Sequence, residues 1–283
     1  MEYVTLNNGV KMPLLGYGVY RIEDADLCEK CVVNAIDTGY RLIDTAASYL
    51  NEEAVGNGIK QSRIPREELF VTTKLWVQNA GYESAKEAFD KSLQRLQLDY
   101  VDLYLVHQPF GDVYGSWRAI EELYHQGRIR AIGVCNFYPD RLIDLIIHNR
   151  IAPAVNQIEI NPFHQQWEAD LFMKKYNVQA EAWSPFANGN GDIFGNEVLI
   201  AVSKKYNKSV SQIILRWLVQ RGIAALAKTV NKDRMEENFD IFDFKLTQDH
   251  MSLIASLNRE ESSFFSHRDP DVVMGISSRY FDI

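Results

Sequence analysis

Residues 100–107, Tyr-Val-Asp-Leu-Tyr-Leu-Val-His, form a largely apolar run that ends in a polar side chain. Such runs are typical of buried parallel strands, because both faces of the strand are covered. Seven further segments are candidates of the same kind: residues 14–18, 41–45, 69–75, 129–136, 154–160, 178–184 and 223–229. The sequence therefore predicts eight parallel strands.

The strand candidates recur at a nearly constant distance along the chain. Their ends fall near positions 18, 44, 74, 107, 136, 159, 184 and 228. Amphipathic stretches such as residues 81–96 and 209–221 lie between them and predict helices. A unit of about 30 residues is one strand and one helix, and eight units close into a barrel of ~250 residues. We therefore predict an α/β fold, a (β/α)8 TIM barrel that forms a single domain over residues 1–283.

Two kinds of element lie outside the eight units. Asn8-Gly9 separates two short β-prone runs, which predicts an N-terminal β-hairpin. The longest gap between strands contains an extra helix at residues 197–206, and the residues after Thr247 form a second one before a tail. The glycines of Gly16-Tyr17-Gly18 follow the hairpin and open no helix, which argues against a Rossmann dinucleotide fold.

The composition limits the partners that the protein can bind. It has 30 Lys and Arg against 38 Asp and Glu, a net charge of −8, and no basic stripe, which disfavours nucleic acid and membrane surfaces. No apolar run approaches the ~18 residues of a membrane helix, and the first residues lack a signal-peptide pattern. Three cysteines do not make a disulfide framework. We expect a soluble cytoplasmic protein.

Polar side chains end several of the strand candidates. In a barrel of this type the active site is built at the carboxyl ends of the strands. Asp44, Lys74 and His107 end three successive strands, so they should converge and shift one another's pKa values. Any one of them alone could be a structural cap. The later strands end in Asn136, Glu159, Ser184 and Lys228.

Residues 39–56, Gly-Tyr-Arg-Leu-Ile-Asp-Thr-Ala-Ala-Ser-Tyr-Leu-Asn-Glu-Glu-Ala-Val-Gly, closely resemble the signature of the aldo-keto reductase family. The resemblance covers almost the whole chain and is nearest to the bacterial and protozoan branch that includes prostaglandin F synthase-like and 2,5-diketo-D-gluconate reductase-like enzymes. It implies an NADPH-dependent oxidoreductase of EC class 1.1.1 that reduces aldehydes and ketones to alcohols by hydride transfer. The other matching segments are residues 69–76, 102–109, 133–137, 155–159 and 182–185.

The resemblance implies four catalytic residues, and the chain has all of them. Tyr49 would be the general acid that protonates the developing alkoxide, if its pKa of ~10 is brought toward neutrality. Lys74 would stabilise the phenolate, and Asp44 would hold Lys74 charged and in place. His107 would orient the carbonyl by a hydrogen bond. His107 also belongs to the implied substrate pocket, with the aromatic residues Tyr20, Trp76 and Phe110.

The resemblance also implies a nicotinamide cofactor site, without a metal ion. Asn136 and Gln157 would bind the carboxamide, and Trp183 would stack on the ring. Cys135 stands where the family usually has a serine that binds the same group, and a thiol is a weak donor. The segment that begins with Ser184 and Phe186 would fold over the pyrophosphate, and Gly18 would also contact the cofactor.

At the adenosine end, the resemblance places Lys228, Thr229 and Arg234 around a 2′-phosphate, which favours NADPH over NADH. Val230 lies in the same run, and Glu237 and Asn238 would contact the adenine. The run departs from the family pattern, because Ala227 replaces the usual proline and Thr229 replaces serine. Both changes could loosen the phosphate pocket.

Two other functions fit the residues. A barrel glycosidase could use the carboxylates of Asp44 and Glu159. However, these residues belong to the second and sixth strand candidates, which does not pair them obviously across a sugar site, and Asp44 is expected to bind the Lys74 ammonium. A non-catalytic barrel could sense a nicotinamide cofactor, although the intact catalytic set argues against this reading. The resemblance favours a monomer and a small carbonyl substrate, whose identity the sequence does not specify.

Overall fold

The computed structural model describes residues 1–283. A two-stranded antiparallel hairpin, β1 (Tyr3–Thr5) and β2 (Lys11–Pro13), precedes a closed barrel of eight parallel strands. The strands of the barrel are β3 (Leu15–Gly18), β4 (Leu42–Asp44), β5 (Phe70–Leu75), β6 (Val101–Val106), β7 (Ile129–Cys135), β8 (Val155–Glu159), β9 (Gln179–Trp183) and β10 (Ala224–Ala227). The predicted TIM barrel with its hairpin is confirmed, and each strand lies inside its predicted segment.

Eleven α-helices accompany the strands. Helices α7 and α10 match the two predicted extra helices. Helix α11 is a third, in the segment that was predicted to be a tail without a helix. The helices are α1 (Ala25–Thr38), α2 (Glu52–Gln61), α3 (Tyr82–Leu96), α4 (Val113–His125), α5 (Pro139–His148), α6 (Trp167–Lys175), α7 (Glu197–Tyr206), α8 (Val210–Gln220), α9 (Lys232–Phe239), α10 (Gln248–Ala255) and α11 (Pro270–Ser277). None of them is long and apolar enough to span a membrane.

Local sequence signals fix the ends of several helices. The Asp24 side chain accepts the backbone N–H of Leu27 at the start of α1, and Gly39 ends that helix with φ +119°. Ser209 and Gln212 form a reciprocal capping box at the start of α8. The end of α1 at Gly39 lies three residues before the next strand begins at Leu42.

The barrel interior is unusually polar for a protein core. Lys74 and Glu181 have no solvent exposure, and Gln157 is 3% exposed. Strands β7 and β8 approach closely at Gly133, where a Cβ would lie 2.6 Å from the backbone oxygen of Val155. The apolar core lies mainly between the strands and the helices, where Trp117 and Trp217 are fully buried. The interior is therefore shaped to hold polar groups below the carboxyl ends of the strands.

Substituting Gly56 by alanine should destabilise the fold. A Cβ at this position of α2 would lie 2.3 Å from the backbone oxygen of Leu96, which is held at the end of α3 and cannot rotate away. We expect the free energy of unfolding to fall by about 1–3 kcal/mol, with a lower Tm. The matched control is Gly275→Ala in α11, where nothing lies within 4 Å of the added Cβ, and its Tm should stay the same or rise. Equal Tm values for the two variants would contradict this packing.

Candidate functional site

A buried ammonium lies at the centre of the site. Lys74 Nζ donates to Asp44 Oδ1 at 2.7 Å and to the backbone oxygen of Thr45 at 2.8 Å, and it lies 3.4 Å from Tyr49 Oη. Strands β4 and β5 are hydrogen-bonded neighbours, which brings Asp44 and Lys74 together, and Tyr49 follows on a short helical turn after β4. These three contacts use all three donors of the ammonium. The phenol and the carboxylate are therefore joined through one cation.

The charges of this cluster shift two of its pKa values. Burial disfavours the charge on Lys74, but the combined attraction of Asp44, Tyr49 and Cys135 outweighs burial and raises the pKa of Lys74 above its ordinary value. Burial also raises the pKa of Tyr49, and the lowering by Lys74 is smaller. The expectation of a phenol poised near neutrality is thus not met in this structure, because burial penalises the phenolate. Tyr49 is held as a protonated phenol, the form that donates a proton.

His107 lies beside the phenol at the end of β6. Its ring is 5.7 Å from the Tyr49 ring and 5.2 Å from the Trp76 ring, and its Nδ1 is 3.4 Å from Ser48 Oγ. Burial, the Lys74 charge and His267 together lower the pKa of His107 well below its ordinary value. The imidazole is therefore neutral, with one ring N–H available as a hydrogen-bond donor.

Two buried side chains extend the cluster across the barrel. Gln157 Nε2 donates to Asp44 Oδ2 at 3.0 Å and to Glu181 Oε2 at 2.9 Å. Glu181 is not among the site residues predicted from the sequence, although a carboxylate in the apolar run at residues 178–184 was a signal that could have found it. The chain of contacts runs from Glu181 through Gln157, Asp44 and Lys74 to Tyr49.

Aromatic side chains surround the entrance to this cluster. The Tyr20 ring lies 4.9 Å from the Tyr49 ring and is half exposed, whereas Trp76 is buried. Trp76 Nε1 donates to the backbone oxygen of Arg279 at 2.9 Å, and its ring lies 5.5 Å from Phe281. The segment after α11 therefore forms part of the wall.

The remaining aromatic position of the predicted pocket lies farther along the same wall. The Phe110 ring is 6.3 Å from the ring of His267, which comes from the segment between α10 and α11. Burial lowers the pKa of His267 to about 4, so this second imidazole is also neutral. The structure thus places Tyr20 and His107 against Tyr49, Trp76 against His107, and Phe110 against the C-terminal segment.

Glu159, which with Asp44 would form the carboxylate pair of a glycosidase, holds the C-terminal segment in place. Glu159 accepts hydrogen bonds from Ser262 Oγ at 2.5 Å, from Ser263 N at 3.0 Å and from Asn161 Nδ2 at 3.0 Å. It thereby fastens the C-terminal segment to the end of β8. Asp44 is bound by Lys74 and Gln157, so each carboxylate has its own protein partners.

Residues 15–259 match the family model described as the aldo/keto reductase family. The chain belongs to this family. Glyoxal reductase of Bacillus subtilis (strain 168) is 49% identical to it over 261 residues, 92% of this chain and 94% of the relative. The crystal structure of MGS-M4, an aldo-keto reductase from a Medee basin deep-sea metagenome library, has a TM-score of 0.92 at 42% identity and covers 94% of this chain and 98% of its own.

A structure of the Bombyx mori aldo-keto reductase in complex with NADP has a TM-score of 0.89 at 34% identity, with 93% of this chain and 95% of that chain covered. The resemblance noted from the sequence is confirmed, and this aldo-keto reductase is an oxidoreductase by family.

The side chains that could hold a nicotinamide ring lie at the ends of β7, β8 and β9 of this aldo-keto reductase. Trp183 Nε1 donates to Asn136 Oδ1 at 2.9 Å, and Asn136 Nδ2 donates to the backbone oxygen of His107 at 3.3 Å. Asn136 and Ser184 have φ values of +62° and +49°, an uncommon conformation that asparagine tolerates better than serine does. Cys135 is fully buried below Asn136, and burial raises the pKa of its thiol well above the ordinary value.

Two cations without carboxylate partners lie beyond the end of β10. Lys228 and Arg234 are exposed, follow the end of β10, and form no ion pair in the structure. Thr229 lies between them, half-buried, and α9 begins at Lys232. Free cations and a hydroxyl near the start of a helix are suited to a phosphate group. The donor set therefore fits a nicotinamide dinucleotide that carries a 2′-phosphate.

Proposed function

We propose that this protein reduces aldehydes and ketones to alcohols with NADPH. The observation that carries the proposal is the buried contact chain from Asp44 through Lys74 to Tyr49, with neutral His107 beside the phenol. A protonated phenol next to an ammonium can give up its proton to a developing alkoxide, because the ammonium stabilises the phenolate left behind. The resemblance to the family favours a monomer as the active form.

The four side chains divide the work on the carbonyl oxygen. NADPH, when bound, supplies the hydride that adds to the carbonyl carbon. Tyr49 donates its phenolic proton to the carbonyl oxygen, and Lys74 stabilises the resulting phenolate while Asp44 keeps Lys74 charged. His107 donates a hydrogen bond to the same oxygen, which orients the carbonyl and stabilises the charge that develops there.

The preference for NADPH rests on the residues after β10. Lys228, Thr229 and Arg234 would surround the 2′-phosphate, because the two cations have no carboxylate to neutralise them in the structure. Trp183 would stack on the nicotinamide ring, and Asn136 and Gln157 would bind its carboxamide. The other residues that we propose to contact the cofactor are Gly18, Ser184, Phe186, Val230, Glu237 and Asn238.

The loss of absorbance at about 340 nm with NADPH tests this proposal directly. The panel includes glyoxal, because a relative of 49% identity is named a glyoxal reductase, together with methylglyoxal, aromatic aldehydes, diketones and sugars. We expect oxidation of NADPH that requires the carbonyl compound, with a lower kcat/KM for NADH. Binding of NADPH without turnover of any carbonyl would instead favour a cofactor-sensing role, and hydrolysis of nitrophenyl glycosides would favour a glycosidase.

A further inference from the structure

Glu181 is a buried ionisable residue that the proposed reaction leaves without a task. It lies on β9 with no solvent exposure, and its Oε1 atom has no hydrogen-bond partner. Its only partner in the structure is the side-chain amide of Gln157, which donates to Oε2 at 2.9 Å. An unpaired polar atom in a barrel interior lowers the stability of the fold, so its presence calls for an explanation, such as a role in function.

The contacts of Gln157 allow one orientation of its amide. Its Nε2 atom lies within 3.0 Å of two carboxyl oxygens, one on Asp44 and one on Glu181. If the amide were rotated by 180°, its oxygen would face the Asp44 carboxylate, which has no proton to donate, and the hydrogen bond to Asp44 would become a repulsive contact. In the same rotation the acceptor oxygen of Glu181 would lose its N–H donor. The nitrogen therefore points to the carboxyl groups, and the amide oxygen, which accepts no bond within the protein and is not fully enclosed, points away from them.

We propose that Glu181 is a positioning residue that acts with Asp44 to lock the Gln157 amide, so that its oxygen is presented to the carboxamide of the nicotinamide cofactor. The inference rests on the proposed function, since it assumes that the cofactor binds at this end of the barrel. It gives Gln157 the role of hydrogen-bond acceptor for the carboxamide N–H groups. It also joins the cofactor site to the proton donor through Asp44 and Lys74.

Glu181 performs this task as a neutral acid. The groups that face it are Asp44 on β4, Lys74 on β5, Cys135 on β7 and Gln157 on β8. The only cation among them, Lys74, already has its three donors committed. Burial and the Asp44 charge raise the pKa of Glu181 to about 8, against smaller lowering effects of Gln157 and Lys74.

A double-mutant cycle on cofactor affinity tests the proposal, with the Kd for NADPH measured by quenching of tryptophan fluorescence at pH 7. Glu181→Met removes the acceptor and keeps the length of the side chain, and we expect the Kd to rise about tenfold. Glu181→Gln keeps a neutral acceptor oxygen and should stay within about twofold of wild type. In a Gln157→Leu background, Glu181→Met should have no further effect, because the amide that it positions is gone.

The matched control is another buried carboxyl group far from the site. Glu121 on α4 accepts the backbone N–H groups of Arg150 and Ile151. Glu121→Met should lower the Tm and leave the Kd for NADPH unchanged. A role for Glu181 in stability alone would give this same pattern for Glu181→Met, and so would overturn the proposal.

The pH dependence of thermal unfolding gives a second readout that needs no cofactor. Between the ordinary pKa of a glutamate, ~4.3, and about 8, folded Glu181 keeps a proton that the unfolded chain has released. Raising the pH through this window therefore favours unfolding of the wild-type protein, and Glu181→Gln removes that loss. We therefore expect the difference in Tm, variant minus wild type, to increase for Glu181→Gln from pH 5 to pH 8 and to stay constant above pH 8.

The outcomes separate the two proposals. A constant Tm difference across this pH range, additive effects in the cycle, or equal loss of affinity in Glu181→Gln and Glu181→Met would overturn the role of Glu181 while the proposed function stands. Failure of the wild-type protein to bind NADPH would overturn both.

Discussion

Replacing Tyr49 with phenylalanine should lower kcat for carbonyl reduction by a factor on the order of 10³ and leave the Kd for NADPH nearly unchanged. The substitution removes one oxygen atom, and that atom is the proton donor in the proposed reaction. Lys74 keeps its contacts with Asp44 and Thr45, so the buried charge stays compensated and the variant should fold. The measurement is the rate of NADPH oxidation with the best substrate of the panel, with cofactor binding followed by fluorescence.

The chain offers a matched control for this variant. Tyr104 on β6 is fully buried, and its hydroxyl has no hydrogen-bond partner in the structure. Tyr104→Phe should therefore leave kcat unchanged and should not reduce stability. Turnover by Tyr49→Phe at the wild-type rate would remove Tyr49 from its role as general acid, and equal losses in both variants would indicate a general effect of tyrosine removal on the barrel.

The sequence was sufficient to predict the strands and the convergence of the polar residues that end them, because both depend on local patterns. Each strand candidate is an apolar run, and the C-terminal end of each run identifies the rim of the barrel. Asp44, Lys74 and His107 could be placed together because successive strands of a closed parallel barrel are neighbours. The 2.7 Å contact between Lys74 Nζ and Asp44 Oδ1 agrees with that expectation, and the Lys74 charge lowers the pKa of His107.

Contacts between distant parts of the chain were beyond the sequence patterns. The wall formed by Trp76 and Arg279 joins residues that are 203 positions apart, and Glu159 reaches Ser262 across 103 positions. No periodicity encodes such pairings. The direction of the Tyr49 pKa shift also required the structure, because it depends on whether burial or the Lys74 charge is larger.

Removing the two free cations after β10 should strongly reduce the preference of the protein for NADPH over NADH. In the double variant Lys228→Ala/Arg234→Ala, we expect kcat/KM for NADPH to fall about 100-fold, roughly tenfold for each exposed charge-assisted contact, and kcat/KM for NADH to change little. The control is Lys232→Ala, because Lys232 is an exposed cation on the same α9 helix whose nearest carboxylate, on Glu236, lies 4.0 Å away. A wild-type protein that prefers NADH, or a double variant with an unchanged ratio of the two kcat/KM values, would contradict the proposed 2′-phosphate site. The substitutions leave Tyr49 and Lys74 in place. Retained turnover with NADH would therefore show that the residues after β10 determine the cofactor preference without taking part in proton donation.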